Sequence, residues 1–318
     1  MLLRFRLDKT AKQNVKVTRR YCNIDCVWCH HDYFQHNGFI SISNEDFANA
    51  VNRIIKVAGG TEASVRLAGD GDPTVVGADE LCDLIGRLKK IPQVSAVKMT
   101  TNGILLGGMS TALKTAGIDS VTVSLNSLDK REYIRYAGYD YLDSVLSSIS
   151  TAFNAGIKLK INCLYWKFNS QELDKFEELS CKYDGMVIKF FDLLVHSEET
   201  RSYYLPLTQL EEQLTSLGAQ YYFEENPYPK RVYTLPSGAI FEVKVAGRQN
   251  TCPNLMCLAR SICLEGCRHS IRIGLDGILR PCGVRSDNIV NLLDARVSDK
   301  DIWNALHSGG KVGYFTVL

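Results

Sequence analysis

Short β-branched runs alternate with amphipathic stretches along most of the chain, which is the hydrophobic pattern of repeated strand and helix units. Such units form a parallel sheet with helices packed on it. The predicted strands span residues 15–18, 64–68, 96–100, 120–124, 158–163 and 187–191. The predicted helices span residues 45–57, 79–89, 110–116, 141–155 and 171–183. The sequence therefore predicts an α/β fold, a partial (βα)6 barrel of the TIM type.

The overall composition is that of a globular enzyme. Of the 318 residues, 45% are hydrophobic and 23% are charged, which are ordinary values for such proteins. The formal net charge of +2 gives no argument for binding nucleic acid or a membrane surface. No apolar run is long enough for a signal peptide or a membrane span, so we expect a cytoplasmic protein.

Three cysteines, Cys22, Cys26 and Cys29, follow the first predicted strand. In barrels of this kind the working residues lie at the carboxyl ends of the strands. Three closely spaced thiolates can bind three irons of an iron-sulfur cube and leave the fourth iron open to a small molecule. The alternatives are a zinc site in which His30 supplies the fourth ligand, or ordinary buried thiols.

Short polar residues and glycines follow the next predicted strands. Glycine allows close backbone approach to a ligand, and a carboxylate can accept hydrogen bonds from an ammonium group. The polar residues can bind a ligand or simply cap the helices that follow. The candidates are Gly71, Asp72, Pro73, Thr100, Asn102 and Ser124.

A second cysteine group, Cys263, Cys267 and Cys282, lies far downstream. Alternating apolar residues from Ile271, a turn at Asp276 and Gly277, and a returning strand over 278–281 predict a hairpin between the last two of these cysteines. The hairpin would bring the cysteines together around a metal group, for which a zinc ribbon is the alternative.

The other cysteines leave one question open. Cys252 and Cys257 lie just upstream of the second group, and either one can supply a fourth ligand to the same metal group. Cys82, Cys163 and Cys181 lie within helix or strand patterns, so we expect them in the core. An odd total of 11 cysteines with clustered spacing suits metal ligation in a reducing compartment better than a disulfide framework.

The first cysteine group, with Trp28 just before Cys29, resembles the signature of the radical S-adenosylmethionine (SAM) superfamily. The resemblance implies a [4Fe–4S] cluster whose open iron binds SAM, and reductive cleavage of SAM to a 5′-deoxyadenosyl radical. It also implies SAM-binding roles. Trp28 would pack near the adenine, Gly71, Asp72 and Pro73 would hold the amino group, and Thr100, Asn102 and Ser124 would bind the ribose and carboxylate.

Three further segments, residues 100–106, 113–118 and 123–129, resemble successive blocks of the GTP 3′,8-cyclase (MoaA) family. This implies a radical SAM barrel over residues 1–220 and a "twitch" cap, a reduced SPASM domain, over residues 221–318. In that cap Cys263, Cys267 and Cys282 would hold an auxiliary [4Fe–4S] cluster.

The same resemblance indicates the substrate pocket. Arg66, Lys160, Lys189 and Arg272 fall on basic positions of the family, and they would form a catalytic pocket for an anionic, phosphorylated or nucleotide-like substrate. Lys189 replaces an arginine of the family, and Lys16 is the nearest substitute for a missing first-strand arginine.

The expected partners follow from this assignment. They are a small-molecule substrate, with GTP as the best single choice, and a flavodoxin- or ferredoxin-type electron donor, while a homodimer is compatible with the family. One alternative is a divergent relative that modifies a natural product, nucleoside or peptide. A non-catalytic iron-sulfur or zinc protein is the alternative from a different class.

Overall fold

The computed structural model of the protein describes residues 3–8, 22–29, 42–60, 62–69, 71–193, 195, 197–225, 229–244, 271–274, 276–280 and 289–307. For residues 3–8 only the backbone is described. The predicted strand 15–18 and the downstream cysteines Cys252, Cys257, Cys263, Cys267 and Cys282 lie outside these ranges.

Six strands, each parallel to the next, form the centre of one sheet. They are β1 (Leu3–Asp8), β2 (Ala63–Leu67), β3 (Val94–Thr101), β4 (Ser120–Ser124), β5 (Lys158–Tyr165) and β6 (Val187–Asp192). Strands β2 to β6 confirm the predicted strands between residues 64 and 191 to within two residues at each end. β1 was not predicted, and it pairs with β2.

Helices connect these strands and continue beyond them. They are α1 (Asn44–Val57), α2 (Ala78–Lys89), α3 (Leu106–Ala116), α4 (Lys130–Ala137), α5 (Leu142–Asn154), α6 (Leu173–Lys182), α7 (Glu198–Tyr203), α8 (Leu207–Ser216) and α9 (Asp299–His307). A short 3₁₀ helix spans Pro73–Val76. The five predicted helices are confirmed as α1, α2, α3, α5 and α6, although α3 begins four residues earlier than predicted. α4, α7, α8 and α9 were not predicted.

Strands from the carboxyl-terminal third of the chain extend the sheet at both of its edges. They are β7 (Gln220–Glu224), β8 (Lys230–Thr234), β9 (Ile240–Lys244), β10 (Ile271–Gly274), β11 (Ile278–Arg280) and β12 (Val290–Asn291). The strand order is β12-β11-β10-β1-β2-β3-β4-β5-β6-β9-β8-β7. β9 is parallel to β6 and β10 is parallel to β1. The sheet, as far as the structure describes it, is open, because β12 and β7 do not pair with each other.

The two faces of the central strands differ in chemistry. One face is apolar and fully buried in the core, with Val65, Val97, Val121, Ile161 and Ile188 all at 0% exposure. Residues alternate between faces along a strand, so the intervening side chains share the opposite face. We call this opposite face the polar face, and it carries Arg66, Lys98, Thr100, Thr122, Lys160, Asn162 and Lys189.

Two further expectations from the sequence can be compared with the structure. Cys163 is buried as predicted and Cys82 is half-buried, but Cys181 is exposed on α6, so the prediction of a core position for Cys181 was wrong. None of the helices in the described parts of the chain is long and apolar enough to span a membrane.

Candidate functional site

Cys22, Cys26 and Cys29 lie in one loop, and the side chain of each is half-buried. The Cys29 amide donates to the Cys26 carbonyl at 3.0 Å, which forms a tight turn between the last two cysteines. Burial and, to a lesser extent, the negative charge of Asp72 raise the pKa of the Cys22 thiol to about 11. Metal ligation removes the proton from such a thiol. A cation bound at this loop would therefore stabilise the Cys22 thiolate.

The three cysteines can be compared with the ligand sets of a cluster and of a zinc ion. An iron-sulfur cube binds three thiolates through three different irons and leaves the fourth iron open, so three cysteines in one loop fit it. A structural zinc ion takes four Cys or His ligands, and His30, the candidate fourth ligand, lies outside the described residues.

The cysteine loop is attached to the end of α4. The Asp25 amide donates to the Ala137 carbonyl at 3.0 Å, and the Val27 amide donates to the Tyr136 carbonyl at 3.1 Å. Carbonyls at the end of a helix accept no hydrogen bond from within the helix, so they are available for this contact. The backbone between the cysteines is fixed by these two bonds.

The start of α4 is fixed in turn by the segment that follows β4. Asp129 caps the helix and accepts from the Arg131 amide at 2.9 Å. The buried Glu172 carboxylate accepts from the Ser127 hydroxyl at 2.7 Å and from the Leu128 amide at 2.6 Å. The block 123–129, which resembles the family, thus positions α4 and, through α4, the cysteine loop.

Trp28 packs into the same region, at 7% exposure. Its ring stacks on Tyr136 with centroids 5.0 Å apart and meets Trp166 edge-on at 4.5 Å. Trp166 donates its indole N–H to the Asn126 carbonyl at 3.1 Å. These contacts anchor the loop just before Cys29, while the predicted contact of Trp28 with adenine stays a prediction.

Asn102, just after β3, contacts the first cysteine of the loop. Its side-chain amide donates to Cys22 Sγ at 3.6 Å and to Asn23 Oδ1 at 2.5 Å. Its Oδ1 accepts from the Ile104 amide at 3.1 Å, which fixes the orientation of the side chain. An amide hydrogen bond to a cluster sulfur is one of the features that sets the reduction potential of a cluster. Asn102 therefore lies where it can influence the cluster directly.

Asp72 is almost fully buried, at 2% exposure, and its carboxylate binds groups of the protein itself. It accepts from the Thr74 amide at 2.9 Å, from the Thr74 hydroxyl, from the Thr101 hydroxyl at 2.9 Å and from the Asn102 amide at 2.5 Å. These four donors match the roughly four acceptor sites of an ionised carboxylate. A hydrogen bond from the SAM amino group to Asp72 would have to displace one of them, and this predicted role stays untested.

The other predicted SAM-binding residues lie at the same edge of the sheet. Gly71 has a φ of 128°, in a region that favours glycine, and donates its amide to the Gly69 carbonyl at 2.9 Å. Pro73 is buried in the first turn of the 3₁₀ helix. Ser124 is the last residue of β4 and pairs in register with Asn162 on β5.

The predicted substrate residues Arg66, Lys160 and Lys189 share the polar face. The Arg66 guanidinium donates to the hydroxyls of Thr100 and Thr122 at 3.1 and 3.3 Å, so Thr100 contacts a residue of the polar face. The Lys189 ammonium lies 4.9 Å from the centre of the Phe191 ring.

Lys160 forms an ion pair that the sequence did not indicate. Its ammonium donates to Glu242 Oε2 at 2.7 Å, and Lys230 donates to the other oxygen of the same carboxylate at 2.8 Å. Burial lowers the pKa of the Lys160 ammonium, and Glu242 offsets part of that effect. Lys160 and Lys230 hold the pKa of the Glu242 carboxyl below its ordinary value despite its burial.

Arg272 lies on the far side of the sheet, on β10. Its register partners are Arg6 on β1 and Arg280 on β11, and Arg6 is also the partner of Arg66. Basic positions therefore follow one another across four adjacent strands. Lys16, the substitute expected for a first-strand arginine, lies outside the described residues.

The predicted hairpin is confirmed as the antiparallel pair β10 and β11, with its turn at Asp276 and Gly277. The chain therefore enters and leaves the hairpin at the same end, where Cys267 precedes it and Cys282 follows it. These cysteines and Cys263 lie outside the described residues, so their ligation stays a prediction.

Sequence reasoning missed Tyr136, Glu172 and Glu242. Glu172 directly precedes α6. Glu242 lies in the short apolar strand β9, and a charged residue inside such a strand pattern is a signal for a buried ion pair. Tyr136 lies in α4, where Tyr133, Tyr136 and Ala137 are buried at helical spacing, a signal that the sequence prediction did not use.

Replacing Asp72 by Asn tests whether this carboxylate is structural. The amide that replaces it puts N–H donors against the donors from Thr101 and Asn102, and each buried donor left unpaired costs about 1–3 kcal/mol. We expect a lower melting temperature and less bound iron, because Asn102 would no longer be held against Cys22. Thermal denaturation and iron analysis measure both effects, with Asp79→Asn at an exposed position of α2 as the matched control. Normal stability and iron content with weakened SAM binding would instead support the role at the SAM amino group.

Comparison with known proteins identifies the relatives of the chain. The family model of the Radical SAM superfamily matches residues 17–179. A "Probable GTP 3′,8-cyclase" of Methanothermobacter thermautotrophicus is 29% identical over 282 residues, which cover 86% of this chain and 85% of that protein. A "Probable GTP 3′,8-cyclase" of Saccharolobus islandicus is 30% identical over 292 residues, 89% of this chain and 86% of that protein.

Solved structures with bound SAM share the fold. The structure "Native anSMEcpe with bound AdoMet and Cp18Cys peptide" is similar with a TM-score of 0.62 at 16% identity, over 96% of this chain and 81% of that one. Streptococcus suis SuiB bound to S-adenosylmethionine is similar with a TM-score of 0.56 at 15% identity. That match covers 95% of this chain and 63% of SuiB, less than two thirds of its length. At such identities the likeness concerns the fold, and it confirms the partial barrel.

The family match, the two relatives and the geometry of the cysteine loop agree with one another. The chain belongs to the radical SAM superfamily, in the family of the GTP 3′,8-cyclases, and its cofactors are a [4Fe–4S] cluster and S-adenosylmethionine.

Proposed function

We propose that this radical SAM enzyme acts on a nucleoside triphosphate, and that the substrate is GTP, converted in a 3′,8-cyclase reaction. The observation that carries the proposal is the extent of the match to proteins named as probable GTP 3′,8-cyclases, which includes 89% of this chain in one relative. The basic side chains of the polar face support an anionic substrate independently of that match.

The residues around the cysteine loop have distinct tasks in this proposal. Cys22, Cys26 and Cys29 hold the catalytic cluster, and the Asn102 amide donates to the Cys22 sulfur. When bound, the cluster and SAM supply a 5′-deoxyadenosyl radical after transfer of one electron. The hydrogen bonds from Asp25 and Val27 to α4 keep the loop in place. A flavodoxin- or ferredoxin-type protein is the proposed electron donor.

The polar face is the proposed substrate surface. Thr122 links Arg66 and Lys160. Its hydroxyl accepts a hydrogen bond from Arg66, and it pairs in register with Lys160. Lys189 pairs in register with Glu242, and Arg272 lies beyond β1. Guanidinium and ammonium groups are the side chains that bind phosphate oxygens. Arg66, Lys160, Lys189 and Arg272 are therefore the proposed substrate ligands.

The carboxyl-terminal region, residues 221–318, is proposed to carry an auxiliary [4Fe–4S] cluster on Cys263, Cys267 and Cys282. The hairpin of β10 and β11 supports this, because it returns the chain to the end where two of these cysteines lie. Residues 1–220 form the radical SAM barrel in this division. A homodimer is compatible with the proposal, and nothing in it requires one.

A divergent substrate is the second candidate function. The observation that favours it is Glu242, a buried carboxylate among the lysines of the polar face, which lowers the charge available to a triphosphate. In that case the enzyme performs the same SAM cleavage on a different, less anionic metabolite.

Replacing Cys22, Cys26 or Cys29 by Ala is expected to abolish SAM cleavage, because loss of one thiolate removes the cluster that donates the electron. The measurement is 5′-deoxyadenosine formation by reduced, anaerobically reconstituted protein. Cys181→Ala, at an exposed position on α6, is the matched control and should behave as wild type. Normal deoxyadenosine formation in all three loop variants would contradict the assignment.

Cys263→Ala, Cys267→Ala and Cys282→Ala are each expected to lower the iron content while some SAM cleavage continues without substrate conversion. The reason is that the first cluster does not need the second one to accept an electron. Iron analysis and Mössbauer spectra measure the clusters. A single cluster in the wild type, with unchanged iron in these variants, is the result that excludes the auxiliary site.

GTP itself is tested by incubating cluster-replete protein with GTP, SAM and a reductant under anaerobic conditions. We expect the cyclised nucleotide, detected by mass spectrometry, and 5′-deoxyadenosine formation above the level seen without GTP. ATP serves as the matched control for the base. If GTP neither binds nor stimulates deoxyadenosine formation, while a less anionic metabolite does, the second candidate function is the correct one.

A further inference from the structure

Lys160, Glu242 and Lys230 form a compact charged group on the polar face, contributed by β5, β9 and β8. We call this group the charge triad. Glu242 lies at its centre with 8% of its side chain exposed, while Lys230 and Lys160 are 16% and 31% exposed. Each carboxylate oxygen accepts from one lysine, at 2.7 and 2.8 Å. Lys230 has a second partner in Glu224 at 3.1 Å, at the more exposed rim of the group.

Each charge of the triad is stabilised by the opposite charge next to it. A buried carboxylate is stable as an anion only when it is paired, and a buried ammonium only when it has a counter-charge. Lys160 and Lys230 keep the Glu242 carboxyl ionised. Within the triad two ammonium groups face one carboxylate, and Glu224, the second partner of Lys230, offsets the remaining positive charge from the exposed rim. One of the three N–H donors of Lys160 is used by Glu242, so the remaining donors can reach a bound ligand.

The triad lies among the proposed substrate residues. Thr122, the register partner of Lys160, accepts a hydrogen bond from Arg66. Lys189 is the register partner of Glu242. A ligand on this face therefore meets Arg66 beside the triad and Arg272 beyond β1.

We propose that Glu242 is a specificity-determining residue, a built-in counter-anion that positions Lys160 and, together with Glu224, offsets the positive charge of the two lysines, so that a polyanionic group gains little attraction from this side of the pocket. The proposal rests on the proposed function in one respect, since it assumes that the polar face binds the substrate. It goes further by assigning an orientation. The polyphosphate end of a nucleotide lies toward Arg272 on β10, and the triad faces a neutral or singly charged part.

Replacing Glu242 by Gln removes the counter-anion and should create a polyanion site. The probes are inorganic tripolyphosphate and inorganic orthophosphate, titrated by calorimetry into cluster-replete protein at low salt. We expect the affinity for tripolyphosphate to rise by about tenfold relative to that for orthophosphate, since one new charge-assisted hydrogen bond is worth at least that factor. Glu242→Asp keeps the charge and should keep the wild-type ratio.

The pH dependence distinguishes this role from a structural one. The titratable groups that face Lys160 are Glu242, Lys230 and Arg66, with Glu224 behind Lys230 and Lys189 next to Glu242. Without Glu242 the remaining cations and burial all lower the pKa of Lys160. The gain in tripolyphosphate affinity of Glu242→Gln should therefore be largest near neutral pH and fall as the pH rises. Glu224→Gln, which touches only Lys230, should not shift that pH profile.

A second variant keeps the test decisive if Glu242→Gln does not fold. Lys230→Met leaves Lys160 paired with Glu242 and removes one positive charge next to Glu224, so tripolyphosphate affinity should fall by about threefold or more. The measured quantity is the ratio of the affinity for tripolyphosphate to that for orthophosphate. The proposal is overturned if this ratio, in whichever variant folds, stays within about twofold of the wild-type ratio. These outcomes are independent of turnover. An enzyme that does not convert GTP refutes the proposed function while the affinity ratios still decide the role of Glu242.

Discussion

Polar groups gathered at the carboxyl edge of a parallel sheet are partly buried, and the structure of the site depends on how each one is paired. A buried donor or acceptor without a partner costs more than a hydrogen bond usually contributes. Asp72 and Glu172 satisfy this constraint in the same manner. Each carboxylate accepts from backbone amides of a neighbouring segment, so each joins two strand ends. Buried carboxylates therefore cross-link the loops at the cluster-binding edge.

The same constraint explains how the segments that follow β4 and β5 support the cysteine loop. Asn126 accepts from the Leu164 amide through its side chain and from Trp166 through its carbonyl, which joins the ends of β4 and β5. Trp166 packs against Trp28 in the cysteine loop. The loop is therefore supported from two directions, by the backbone of α4 and by an aromatic contact from β5. We expect a substitution that disrupts either support to displace the thiols, even though the substituted residue does not contact them.

The sequence predicted the parts of the fold that repeat and missed the parts that depend on contacts between distant segments. Strands β2 to β6 have β-branched runs with polar residues at alternate positions, which a periodic pattern reveals. The first-strand position was assigned to residues 15–18, whereas β1 (Leu3–Asp8) pairs with β2. The cysteine spacing predicted the metal site. Glu242 could not be assigned a partner from sequence, because Lys160 lies 82 residues away. Trp28 was expected near a ligand, and its packing against Tyr136 and Trp166 follows only from the tertiary structure.

Charge is distributed unequally between the two sides of this site, and we expect this difference to orient the substrate. Near the cysteine loop, burial and the charge of Asp72 raise the pKa of the Cys22 thiol. On β5, β8 and β9, a buried carboxylate is instead surrounded by two lysines, one of which also pairs with Glu224. In the proposed function an anionic substrate is therefore bound by the arginines of the polar face, where interactions are weakly screened because the groups are partly buried. The same proposal leaves the neutral ring system of a nucleotide as the part that approaches the cluster.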